Sequence, residues 1–129
     1  REGLEVAPQA EPADGVDRLV GQDADEQAIE EMWPCYLESF GRIGRERGWG
    51  ETSKDHFVSE VRYGSMYVGS PETVAAKITH ALTSVSASRF DLKYANGTMP
   101  HSKLMNTIRL YAEEVAPRVR AAVEKESAA

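Results

Sequence analysis

Between Asp23 and Gly48 the apolar residues Ile29, Met32, Trp33, Tyr36, Phe40 and Ile43 recur at intervals of three and four. That spacing predicts one long amphipathic helix. Asp23 and Asp25 suit its first turn and Arg45 and Arg47 its last, where they complement the helix dipole, and Gly48 is a stop signal. Pro34 falls inside the span and removes a backbone hydrogen bond, which predicts a kink. The run Thr52-Ser53-Lys54-Asp55 fits a capping box opening a shorter helix through about Val61. A short strand over Gly64–Gly69 follows, ending at Ser70-Pro71-Glu72, a cap with proline in the first helical turn. Val74, Ile78, Ala81, Leu82 and Val85 then make the buried face of a helix ending near Ser86. Arg89–Tyr94 alternates, with Phe90, Leu92 and Tyr94 on one side and Arg89, Asp91 and Lys93 on the other, and reads as a second strand. The last helical region begins near Pro100–Ser102, with Leu104, Met105, Ile108, Tyr111 and Val115 on one face. Pro117 is expected to bend or restart it, after which Val119, Ala122 and Val123 continue the stripe.

The order strand, helix, strand, helix is that of the parallel β/α repeat. Parallel sheets are covered on both faces and use several strands, whereas this chain offers two, so it reads as the closing part of something larger. Residues 1–22 are poor in large apolar groups and carry Gly3, Pro8, Pro12, Gly15 and Gly21. They read as an acidic, partly disordered arm with a short strand at Leu4–Val6. Three segments result: the arm at 1–22, a helical segment at 23–62 and a β-α-β-α segment at 63–129.

The 129 residues suffice for one domain. A net charge of −6 argues against nonspecific nucleic-acid binding. No run approaches the roughly 18 apolar residues of a membrane span, and no signal-peptide pattern opens the chain. Cys35 is the single cysteine, so no internal disulfide framework exists and a cytoplasmic setting is expected. The first residue is Arg1, which suggests that an upstream segment has been removed.

Several runs carry a resemblance in order along the chain. They are Trp33-Pro34, Arg42–Trp49, Val68–Ile78 (VGSPETVAAKI), Arg89–Tyr94 (RFDLKY), Gly97–Met105 (GTMPHSKLM) and Glu114–Arg120 (EVAPRVR). Together they resemble the luciferase-like flavin-dependent monooxygenases over roughly residues 19–120. The resemblance implies an α/β fold: part of a (β/α)8 TIM barrel, its last two β/α units preceded by a long helical insertion, helix-rich overall. It implies FMN or a reduced deazaflavin as cofactor of the full-length protein, a small organic substrate, and oxidoreductase chemistry. The earlier strands that supply most of the flavin pocket are absent. The chain by itself is therefore expected to bind no flavin and to lack activity, with a missing N-terminal barrel segment or a second copy as its partner. The pattern departs at Cys35, where the family carries a histidine. The alternative is a non-catalytic oligomerising or binding module derived from the same family.

Candidate chemistry is sparse. Gly69 and Ser70 place small residues and backbone N–H groups at a helix start, which suits an anion such as a cofactor phosphate, although serine before proline is first of all a cap. Lys93, Asn96, Gly97, Thr98 and His101 would form one wall of a substrate pocket. His101 is the candidate for catalysis, since its ordinary pKa lies near neutrality; a solvent-facing helix-start histidine is the plainer account. Asp55 and His56 are adjacent on a helix and point about 100° apart, so they do not form an acid–base pair. Three dispersed histidines and one cysteine predict no metal site.

Overall fold

The computed structural model describes residues 5–6, 22–93 and 98–127. Its longest element, α1, spans Gln22–Arg47 and runs continuously through the exposed Pro34. It is closed by Gly48 at φ 74° and by the Trp49 N–H, which donates to the Gly44 carbonyl at 2.8 Å. A residue two past the cap thus bonds back into the last turn across a left-handed glycine. The second helix, α2, spans Lys54–Tyr63, and the Ser53 hydroxyl caps it by accepting the His56 N–H at 3.1 Å.

The aromatic stripe of α1 packs against α2. Phe57 and Met32 are fully buried and share a first core with Ala28, Ile29, Tyr36, Val61, Met66, Val68 and Met99. The Phe57 ring lies 4.6 Å from Tyr36 and 5.6 Å from Trp33, in tilted contacts of the kind that aromatic quadrupoles favour. Burying Phe57 contributes roughly 1.5–3 kcal/mol.

There are two short strands among the described residues: β1, Glu5–Val6, within the arm, and β2, Met66–Tyr67, after α2. They pair in parallel, with Glu5 opposite Met66 and Val6 opposite Tyr67. Side chains alternate across a strand, so Met66 and Val68 enter the first core while Tyr67 enters a second one. That second core lies on α3 (Pro71–Ser84) and combines Val74, Ala75, Ile78 and Leu82 with Tyr67 and Val115. The closing helical run starts with α4 (His101–Leu110), widens into one π-helical turn at Tyr111–Val115 and continues as α5 (Ala116–Ser127). The wide turn lies just before Pro117, which lacks an N–H and crowds the preceding turn; Ala116 N–H reaches back five residues to the Tyr111 carbonyl.

The expectation of a partial (β/α)8 barrel, and of an α/β fold at all, is overturned. The described residues are predominantly helical, and their only strand pairing is the two-residue contact of β1 with β2. The predicted strand at Gly64–Gly69 shrinks to Met66–Tyr67, and that at Arg89–Tyr94 to a single bridge at Leu92. Tyr94 lies outside the described residues, as does the arm apart from Glu5, Val6 and Gln22. The alternation of Phe90 and Leu92 has another cause, since both lean on the second core, with the Phe90 ring 5.3 Å from Tyr67. A period of two reports burial on one side, which the side chains of the second core supply here without strand pairing. Among the described residues no helix is long and apolar enough to cross a membrane.

The two cores are tied together by one cation. Lys77 of α3 sends its ammonium to the carbonyls of Glu60 (3.3 Å), Val61 (2.8 Å) and Met66 (2.6 Å). It also sits 4.5 Å above the Tyr67 ring. Three donors thus meet three backbone acceptors, two in the last turn of α2, where the dipole favours positive charge, and one in β2; the Glu60 carbonyl also accepts the Gly64 N–H at 2.9 Å. Burial pulls the Lys77 pKa below its ordinary value, against the opposing pull of the Glu60 carboxylate. Lys77→Met keeps the aliphatic stem but strips the donors from all three carbonyls. It is expected to lower unfolding free energy by about 3 kcal/mol, read by urea denaturation, with Lys77→Arg recovering part of the loss. A change below about 0.5 kcal/mol in the methionine variant would show that the bridge is incidental.

Candidate functional site

The start of α3, where an anion was expected, is built from three elements. Ser70 precedes Pro71 and caps the helix: its hydroxyl accepts the Thr73 N–H at 3.2 Å and donates to Thr73 Oγ1 at 3.1 Å. Asp25, from the first turns of α1, completes the cap. Its Oδ1 accepts the Ser70 N–H at 2.7 Å and its Oδ2 the Thr73 hydroxyl at 2.9 Å. A carboxylate at a helix N-terminus is favoured by both the free N–H groups and the dipole. Gly69 makes room for it, because a Cβ there would come within 2.7 Å of Asp25 Oδ1. Gly69 and Ser70 are both buried. The donors that would hold a flavin phosphate are thus engaged by an internal carboxylate, and a phosphate at this position would meet the Asp25 charge. The residues present fit Asp25 and not a second anion.

The other implied wall lies elsewhere along α1. Thr98 donates its hydroxyl to Glu38 Oε2 at 2.9 Å, Met99 is buried in the first core, and Lys103 pairs with Glu31 at 3.3 Å. His101, the first residue of α4, is exposed. Lys93 is exposed as well, and Asp91 on the same segment pairs with Arg89 at 3.4 Å. Asn96 and Gly97 lie outside the described residues. With a rise of about 1.5 Å per residue, Asp25 and Glu38 are separated by roughly 20 Å along α1. The helix therefore holds the Ser70 cap and the Thr98 loop well apart. Cys35 lies beside that loop; burial raises its thiol pKa, a hydrogen bond with Thr98 lowers it and the Glu38 charge raises it, with a net upward shift that favours the thiol over the reactive thiolate.

A further polar junction has no counterpart in the expected site. The Glu60 side chain folds back on Gly64 so that Oε2 accepts both the N–H and the hydroxyl of Ser65, each at 3.0 Å. A Cβ at residue 64 would fall 2.2 Å from that oxygen, so any larger residue there would displace the Glu60 carboxylate from Ser65. His56, one turn earlier, brings Nε2 to 4.0 Å from Glu60 Oε1. The Ser65 N–H, then its hydroxyl, with smaller help from His56 and Lys77, holds the Glu60 carboxyl below its ordinary value near 4.5. Among the described residues no group of three or more His, Cys, Asp or Glu is placed to hold a metal ion.

In comparison with known proteins, no protein-family model matches the chain and no curated protein matches its sequence.

Two outcomes test these junctions. Asp25→Ala is expected to cost about 1–2 kcal/mol of stability, and Gly69→Ala somewhat more, through eviction of the same carboxylate and through the backbone at φ 157°. The double variant should then lose less than the sum, since both changes break one contact; strict additivity in a thermal-denaturation cycle would separate them. The second outcome concerns acid. Because the Glu60 carboxyl titrates lower in the folded chain than in the unfolded one, the stability it adds is complete above the ordinary glutamate value and is lost as pH falls through the lower folded-state value. Glu60→Gln should flatten that acid limb in a plot of Tm against pH, and an unchanged slope would assign the limb to other carboxylates.

Proposed function

We propose that this chain is the C-terminal segment of a luciferase-like flavin-dependent oxidoreductase, and that it needs further polypeptide for flavin binding and catalysis. The observation that carries this assignment is the ordered residue series from Trp33-Pro34 through Val68–Ile78 and Gly97–Met105 to Glu114–Arg120. With no family model matching, the series stands alone as the argument for the family. FMN or a reduced deazaflavin would be the cofactor of the full-length protein and a small organic molecule its substrate, the flavin supplying the redox chemistry. The need for further polypeptide draws support from the site geometry. The Ser70 cap is filled by Asp25, the Thr98 hydroxyl is spent on Glu38, and roughly 20 Å of α1 lies between them.

Flavin titration tests this directly. Addition of FMN, and separately of a reduced deazaflavin, to the 129-residue chain is expected to leave flavin fluorescence unquenched and NADH- or substrate-linked turnover absent. Stoichiometric quenching by the isolated chain would overturn the requirement for further polypeptide.

A second assignment, a non-catalytic module that self-associates, is favoured by apolar groups left in solvent. Tyr63 is 86% exposed, Val85 70% and Met105 51%. They stand at the ends of α2 and α3 and on α4, and a second copy that covered them would remove apolar surface from water. Light scattering at micromolar concentration distinguishes the two: a stable dimer or larger species supports the module, and a monomeric mass removes it.

A further inference from the structure

The connection between α1 and α2, residues 48–53, leaves an aromatic residue in solvent. Trp49 follows the left-handed Gly48, its N–H is fixed on the Gly44 carbonyl at 2.8 Å, and the residue is nevertheless 54% exposed. A tryptophan serving only the core would be turned inward, as the half-buried Trp33 is toward Phe57. Trp49 instead lines a cleft of about 550 Å³ together with the stacked pair Tyr36 and Phe40, whose ring centroids lie 4.5 Å apart. Met66 and the polar groups of His56 and Glu60 complete it. The volume falls within the range of small-molecule pockets, roughly 300–1,000 Å³.

The charge pattern selects the class of ligand. Glu60 Oε2 is occupied by Ser65, whereas Oε1 has the His56 Nε2 at 4.0 Å, and both residues line the cleft. Glu51 adds a second carboxylate to the rim. The whole chain carries a net charge of −6, which attracts cations over a longer range. Aromatic faces beside carboxylates favour an organic cation, because ring quadrupole and carboxylate attract the same charge. The Trp49 ring already takes one such partner, the Arg47 guanidinium at 5.7 Å from its centroid.

We propose that this cleft binds a small organic ammonium ion bearing an aromatic or alkyl group. The ammonium is held by Glu60 Oε1 in a charge-assisted hydrogen bond, and its apolar part lies against Trp49 and Phe40. The assignment does not depend on the flavin proposal, since none of these side chains belongs to the flavin or substrate wall.

The test is an amide and indole NMR titration of the full chain with phenethylammonium, alongside phenethyl alcohol and 3-phenylpropionate as neutral and anionic counterparts of similar shape. Saturable shifts are expected for the ammonium at the Trp49 indole N–H and at the His56, Glu60 and Ser65 amides. The alcohol should bind at least about tenfold more weakly, a difference of about 1.4 kcal/mol, and the carboxylate not at all. Glu60→Gln should weaken the ammonium by at least about tenfold as well. Because that change also disturbs the Ser65 turn, Trp49→Leu at the exposed position provides a second variant, expected to abolish the shifts while leaving Tm unchanged. Equal response to all three probes, shifts scattered over other surfaces, or binding unaffected in the leucine variant would each overturn the proposal.

Discussion

One ammonium group decides how this chain can fold. Lys77 is placed on α3 at a position half-turned toward the interior, and the three carbonyls it reaches come from the end of α2 and from β2. The Glu60 carbonyl also accepts the Gly64 N–H, but a Val61 or Met66 carbonyl left dry and unpaired would cost about 1–3 kcal/mol, which draws the end of α2, the turn at Gly64-Ser65 and the start of β2 onto α3. With that convergence fixed, Met66 and Val68 fall toward α1 and Tyr67 toward α3, and a strand of two residues suffices to separate two cores. The Tyr67 ring beneath the ammonium adds attraction of the cation–π kind and helps to hold the lysine stem where burial would otherwise disfavour its charge.

Much of the helical frame was legible in local signals. The stop at Gly48, the cap near Ser53 and the Ser70-Pro71 start each act within one turn, so the residues that make the structure are adjacent in the sequence. A short strand was also read at Leu4–Val6, and the structure pairs Glu5–Val6. The barrel expectation failed because alternation at Arg89–Tyr94 reads as strand pairing, whereas Phe90 and Leu92 are half-buried against the second core, with the Phe90 ring on Tyr67. Nor could the sequence reveal that Asp25, read as a cap for its own helix, bonds the start of α3 instead. Lys77 left a faint trace. It lies three residues after Val74 and next to Ile78, where helical spacing brings a cation to the margin of an apolar face, but its acceptors are backbone groups that carry no sequence signature.

The same division holds for the candidate sites. Gly69 and Ser70 were visible as a helix start, and what they hold was not, because a carboxylate arriving from another element is indistinguishable in sequence from any surface acid. Gly64 shows the converse. The folded-back Glu60 carboxylate occupies the space that a Cβ at residue 64 would take, a contact made by a side chain from the preceding turn and not announced by the glycine itself. The acidic groups of this chain thus do much of their work inside it, as caps and turn locks, and the surplus that remains on the surface gives the cleft beside Trp49 its charge.

The wide turn before Pro117 has a geometric consequence for the whole closing helix. Buried Thr107 and Val115 stand in one row with the partly buried Tyr111, Val119 and Val123, the last four residues of the row lying on the second core. The row advances in steps of four. At 3.6 residues per turn such a row drifts by about 40° at each step and would wind away from α3. Glu114 and Arg118 meet at 3.6 Å beside it, with Arg118 also reaching Glu72 of α3 at 3.1 Å. The π turn, which takes more residues per turn, therefore works as a phase correction: it gives back part of the drift and keeps one row of side chains against a single seam.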